Sequence, residues 1–142
     1  MSHIYINGRF LTQPLSGMQR YAGEMVTAID RLRRDGSTFF SGLHLEVLVP
    51  RGPRRSYDWK TVNVREVGTL RGHAWEQFDL AFSARNGILV NLTSCGPLAH
   101  SRSMLVIHDA AIFAHPSHFS IGYRTFHRLL RPRLARRAKS LV

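Results

Sequence analysis

The stretch from Ile88 to Asp109, ILVNLTSCGPLAHSRSMLVIHD, holds two short apolar runs divided by a loop, and its reading decides the fold. Ile88-Leu89-Val90-Asn91-Leu92 and Met104-Leu105-Val106-Ile107 are apolar on nearly every position. A strand with one face in water alternates with period two, whereas a strand covered on both faces does not. Both runs therefore predict strands buried inside a sheet. The second ends abruptly on the polar pair His108-Asp109, at the mouth of that sheet rather than in its core.

Working back from Ile88, Gly87 closes a helix that opens around Gly72-His73 and carries Trp75, Phe78 and Phe82 on one face, read as core. Before it, Thr61 to Val67 alternates strictly and predicts a strand. Leu43 to Val49 alternates, then turns fully apolar, and stops at Pro50; the loop from Arg51 to Arg55 is expected to be exposed. Residues 3–7 are β-branched or aromatic and predict the first strand, broken at Asn7-Gly8. A loop over residues 8–16 leads to Ser16-Gly17-Met18-Gln19, which has the shape of a capping box: the Ser16 hydroxyl would accept from the third helical amide and Gln19 would reach back. Met18, Tyr21, Met25, Ile29 and Leu32 then recur at helical spacing, predicting a helix to about Arg34 that ends near Gly36.

Working forward, a loop runs through Pro116 and a last helix begins near Ser120, with Tyr123, Phe126, Leu130 and Leu134 as its inner stripe. Pro132 is expected to kink or split it. Ser140-Leu141-Val142 reads as the start of another buried strand, so the chain is expected to be cut inside a larger αβ array. Strands interleaved with helices predict an α/β fold, a Rossmann-like parallel sheet with flanking helices.

The chain's 142 residues, 44% hydrophobic and 20% charged, suit one globular domain rather than a disordered segment. No apolar run approaches the roughly 20 residues that span a bilayer, and no signal peptide is predicted. The single cysteine, Cys95, cannot form an internal disulfide, which suits a reducing cytoplasm. Asn91-Leu92-Thr93 fits a glycosylation acceptor, expected to be a chance match. The net charge of +11 attracts nucleic acid, anionic lipid or phosphorylated ligands. Arg124, Arg128, Arg131, Arg133, Arg136, Arg137 and Lys139 crowd the C-terminal end, either as a solvated helix face or as a basic surface.

In doubly wound folds ligands bind beyond the carboxyl ends of the strands, and three loops there carry suggestive chemistry. The loop from Asn7 to Gly17 enters a helix with free first amides and a positive dipole, where the absent side chain of Gly17 admits an anion; a simple cap is the plainer alternative. It lacks the Gly-Lys-Ser/Thr ending of a P-loop. His108 is placed to donate to a substrate hydroxyl or carbonyl, and Asp109 to orient an imidazole or cap the next turn. With His115 and His118 this pair imitates a metal site, but the spacing matches no zinc pattern and cysteine partners are missing. In the third loop, Thr93 to Pro97, Cys95 is a candidate nucleophile with His108 as base, against the commoner inert, partly buried thiol.

Ile4-Tyr5-Ile6-Asn7-Gly8-Arg9 followed by Ser16-Gly17-Met18-Gln19-Arg20-Tyr21-Ala22 resembles the opening of family 4 glycosyltransferases. His73-Ala74-Trp75-Glu76-Gln77 resembles the Trp-Glu-Gln helix of their mannosyltransferase-like branch, and Ile107-His108-Asp109 with His115-Pro116 and the run from Tyr123 to Val142 resembles its histidine–aspartate strand end and following basic helix. The resemblance covers nearly the whole chain in order. It implies the N-terminal, acceptor-side half of a GT-B fold and retaining transfer of a hexose such as mannose from a nucleotide-sugar to a hydroxyl, in polysaccharide or glycolipid synthesis. It further implies His108 and Asp109 as catalytic-site residues, Gly17 and Arg20 at the donor diphosphate with Arg9 as a further candidate, no metal and no cofactor. Partners would be the nucleotide-sugar, a saccharide or lipid-linked acceptor, an anionic membrane touched peripherally and a donor-binding domain. That domain's two glutamates eight positions apart have no counterpart among Glu24, Glu46, Glu66 and Glu76, so this chain alone is expected to be inactive. Two other readings compete: a basic nucleic-acid-binding α/β module, motivated by charge alone and opposed by the assignment of the aromatics to the core, and a small hydrolase or metal enzyme using His108, Asp109 and Cys95 or His115.

Overall fold

The computed structural model describes residues 2–108, 117 and 119–142. Its centre is a six-stranded, all-parallel sheet, so the protein has an α/β, Rossmann-like fold. The strands are β1 (Ser2–Asn7), β2 (Leu43–Val49), β3 (Asn63–Glu66), β4 (Ile88–Asn91), β5 (Ser103–Leu105) and β6 (Ser140–Leu141), in spatial order β3-β2-β1-β4-β5-β6. The order reverses between β1 and β4, the switch point at which such sheets bind ligands. Helix α1 spans Gly17–Arg34. A second helical segment, α2, runs through Gly72–Ala74, a π-helical turn at Trp75–Leu80, and Ala81–Ser83. Helix α3 spans Ile121–Arg137.

Helix α1 ends as the sequence predicts. Gly36 takes φ +79°, Ser37 N donates to Leu32 O at 3.1 Å, and Arg31, Arg33 and Arg34 complement the negative end of the dipole. Its start differs from the capping box. The Ser16 hydroxyl contacts the Gln19 side-chain oxygen and no side chain caps a helical amide. The buried face also differs: Gln19, Ala22, Gly23, Val26 and Asp30 are buried, Gly23 against Tyr57 and Asp30 against Lys60 and Thr61, while Met25 and Leu32 are exposed. Small side chains at Ala22 and Gly23 allow close approach, which turns the helix by about one residue relative to its large apolar stripe.

A correction of the same kind applies to α2. Trp75, Leu80 and Ala84 are fully buried with Tyr5, Leu48, Val67 and Leu89, whereas Phe78 and Phe82 are 68% and 67% exposed. Sequence periodicity assumed 3.6 residues per turn. The π turn closes i→i+5 bonds, so the neighbour of Trp75 along the buried face is Leu80. Trp75 Nε1 donates to Val67 O at 2.8 Å and locks the choice.

Helix α3 is continuous through Pro132 rather than split. Pro132 cannot donate to the Arg128 carbonyl, and the Arg133 side chain donates to the adjacent Leu129 carbonyl at 2.7 Å. Its inner face is His127, Leu130, Arg131 and Leu134, with Tyr123 and Phe126 partly exposed. The last strand forms and pairs with β5, with Leu141 and Val142 54% and 64% exposed. The strictly alternating third strand is an edge strand, exposed along its length.

The sheet is covered unequally. One face carries α2; on the other, α1 leaves a groove of about 260 Å³ lined by Ile6, Met25, Ile29, Val90, Met104 and Val106 among other apolar residues. No helix among the described residues is long and apolar enough to cross a membrane.

Candidate functional site

Two groups of polar residues meet at the carboxyl ends of the central strands. The first is built on β1 and β4. Asn7 and Asn91 end those strands, and both are almost completely buried. Asn7 Oδ1 accepts from Arg9 N at 3.2 Å and turns the chain into a 3-10 turn at Gly8–Thr12. Gly8 is required there: a Cβ would lie 2.5 Å from Leu48 O. Asn7 Nδ2 donates to Glu76 Oε2 at 2.8 Å and to Asn91 Oδ1 at 3.1 Å.

Glu76 sits in the π turn with 1% exposure, surrounded by donors. The Cys95 thiol donates to Glu76 Oε1 at 2.9 Å, His73 Nδ1 lies 3.6 Å away and Arg9 Nη1 3.8 Å away. Burial pushes the Glu76 carboxyl up, but His73, Cys95, the Arg9 charge and Asn7 outweigh it and hold it below its ordinary range. Cys95 shows the opposite balance: burial, then the Glu76 charge and hydrogen bond, push its thiol well up. A protonated, buried thiol beside a carboxylate is a poor nucleophile, which counts against the nucleophilic role considered for Cys95. Arg9, a candidate for the donor diphosphate, is committed instead to Glu76 and to His73 Nδ1 at 3.2 Å.

Helix α3 closes this group from the side. His127 is 4% exposed, its ring centroid lies 5.5 Å from that of His73, and neither ring nitrogen has a hydrogen-bond partner among the described residues. Burial first, then the charges of Arg131 and His73, push its pKa down to about 4.

The second group surrounds His108. Its ring packs edge-to-face on Tyr21, with centroids 4.7 Å apart, which sets the segment after the fifth strand beside the N-terminal part of α1. Gly17 and Arg20 are exposed on that turn, and a Cβ on Gly17 would meet open space. His108 Nε2 lies 2.6 Å from Leu92 O, and a carbonyl can only accept. In the neutral ring the proton is therefore on Nε2, which leaves Nδ1 as the acceptor. Its backbone amide donates to Ser94 Oγ at 3.0 Å. Ser94 takes a left-handed φ of 61° and is 1% exposed, a strained residue spent on holding His108. Asp109, His115 and His118 lie outside the described residues.

Sequence reasoning singled out Arg9, Gly17, Arg20, Cys95 and His108, and missed Asn7, His73, Glu76, Asn91 and His127 as one constellation and Ser94 as the support of His108. The signals available were a polar residue ending two otherwise apolar strands, at Asn7 and Asn91, and the motif from His73 to Gln77. No family model, no curated protein and no solved structure matches this chain.

Proposed function

We propose that this domain is the acceptor-side half of a retaining family 4 glycosyltransferase, one that transfers a hexose from a nucleotide-sugar to a hydroxyl in polysaccharide or glycolipid synthesis. The observation that carries the reading is the packing of His108 on Tyr21, one turn past the start of α1. One end of the sheet thereby offers uncapped helical amides and Arg20 to a diphosphate, beside an imidazole lone pair for a sugar hydroxyl. The residue pattern supplies the family, and the strand order supplies the switch-point location. The reading assigns the nucleoside pocket to a second domain and treats Asp109 as a companion of His108. It assigns Arg9 to internal charge balance rather than to the diphosphate. The side chains of α3 include no carboxylate, and Ile121 and Leu129 are exposed among its arginines; this suits peripheral contact with an anionic membrane carrying a lipid-linked acceptor. A cytoplasmic location is part of the same proposal.

The test is hexose transfer by the product of the whole reading frame that contains these residues, assayed with a panel of nucleotide-sugars and membrane or polysaccharide acceptors. Transfer that falls about 100-fold in His108→Ala, with the fold retained, is expected. No transfer from any donor, or transfer indifferent to His108, defeats the reading.

A second reading has one observation in its favour. Phe78 and Phe82 are solvent-exposed, and the Arg85 guanidinium lies 4.1 Å from the Phe82 ring centre, so the aromatics that argued against nucleic-acid binding while assigned to the core are available for stacking.

A further inference from the structure

We propose that His73, Glu76, Cys95 and His127 form a binding site for a zinc-class divalent cation that ties α2, the loop after β4 and α3 together. Three of the four already offer ligand atoms within 4.8 Å of one another. Donors on a tetrahedral zinc ion lie about 3.3–3.7 Å apart, given metal–ligand bonds of about 2.0–2.3 Å. Cys95 Sγ lies 3.9 Å from His73 Nδ1, His73 Nδ1 lies 3.6 Å from Glu76 Oε1, and Cys95 Sγ lies 2.9 Å from Glu76 Oε1. Two of the three edges are within a few tenths of an ångström of the required lengths, and the third opens when the proton between sulfur and carboxylate is lost.

The fourth ligand is the independent observation. His127 is nine-tenths buried with no partner on either nitrogen among the described residues, an arrangement that costs free energy unless something binds there. Two imidazoles on one tetrahedral ion have ring centres about 5 Å apart, and those of His73 and His127 are 5.5 Å apart. A thiolate, a carboxylate and two neutral imidazoles neutralise a dication and match the borderline-soft preference of zinc. The Cys95 thiol exchanges its proton for the metal: the S–H bond breaks, an S–metal bond forms and one proton is released to solvent.

Arg9 is the competing cation. Its guanidinium stands beside Glu76 and His73, at 16% side-chain exposure, and turns outward when the ion enters. The cation would act as a staple between elements, and none of its four ligands belongs to the group around His108. The proposal is therefore independent of the transferase reading.

The experiment is titration of the chelator-treated chain with Co2+, followed in the near-ultraviolet and visible, then displacement by Zn2+ with thermal unfolding. One equivalent of Co2+ should produce a thiolate-to-cobalt band and tetrahedral d–d bands, and Zn2+ should raise Tm by about 5 °C or more at saturation. Cys95→Ser should remove the thiolate band, and His127→Gln, which keeps side-chain size, should weaken binding at least about tenfold. Arg9→Met should tighten it. Absence of the band at one equivalent, its persistence in Cys95→Ser, or unchanged affinity in folded His127→Gln overturns the proposal.

Discussion

Asp30 shows how a single side chain on one element fixes another. It is 1% exposed, and its Oδ1 accepts from Thr61 N at 2.6 Å, Thr61 Oγ1 at 2.8 Å and Lys60 N at 2.9 Å, while Oδ2 pairs with Arg34 at 3.3 Å. These contacts pin the segment entering β3 onto α1. Burial pushes its carboxyl up, but the Thr61 and Lys60 hydrogen bonds and the Arg34 charge prevail and hold it below 3.8. A carboxyl depressed on folding contributes its full stabilisation above the unfolded value, and that contribution drains away as pH falls through the lower folded one. The wild-type protein should therefore lose stability below about pH 4, with a shallower loss in Asp30→Ala. At neutral pH, Asp30→Ala should cost about 2–4 kcal/mol, because three donors lose a charged acceptor. Denaturant unfolding at several pH values checks both, and a variant as stable as wild type at neutral pH would remove the pinning role. At this scale the sequence disclosed little. An aspartate in the last turns of a basic helix reads as surface charge, and only the loop folding back on it makes it a core residue.

Helix α2 carries the lesson at the scale of elements. Its limits and its partnership with the sheet were legible: Gly72 opens it and Gly87 follows it. Its buried face was not, because the π turn replaces one spacing by another within six residues. Leu80→Ala should cost about 2–5 kcal/mol, as a fully buried leucine does. Phe78→Ser and Phe82→Ser should each change stability by no more than about 0.5 kcal/mol. The reverse order in thermal or denaturant unfolding would restore the regular 3.6-residue face. The π turn also serves the site, since it turns Glu76 inward, next to Trp75 in sequence and between Asn7 and Cys95 in space. Helix α1 repeats the point more mildly: its length and its Gly36 terminus follow from local chemistry, while its rotation follows from what Ala22 and Gly23 pack against.

At the scale of the molecule, the net charge of +11 and the exposed Phe78, Phe82 and Arg85 set a test between the two functional readings. If the charge is used for nucleic acid, affinity for single strands should fall steeply and log-linearly with salt and weaken in Phe78→Ser and Phe82→Ser. The transferase reading expects weak binding, insensitive to both phenylalanines. Fluorescence anisotropy with a labelled oligonucleotide between low and physiological salt decides.

The amino-acid sequence by itself determined which segments are the main strands and helices, and that the sheet is parallel with a buried centre. These follow from local periodicity, from Gly and Pro positions, and from the uninterrupted apolar runs that only doubly covered strands tolerate. It also marked the strand end at His108 and the opening at Gly17, because polar residues after apolar runs stand out in one dimension. Tertiary structure alone decided which face of each helix is buried, that Arg9 neutralises Glu76, and that His108 carries its lone pair on Nδ1. It alone brought His73, Glu76, Cys95 and His127 together from three elements. The physical reason is that burial, charge pairing and tautomer are set by neighbours distant in the chain, as with Asn7 and Asn91, 84 positions apart, and local spacing says nothing of such neighbours.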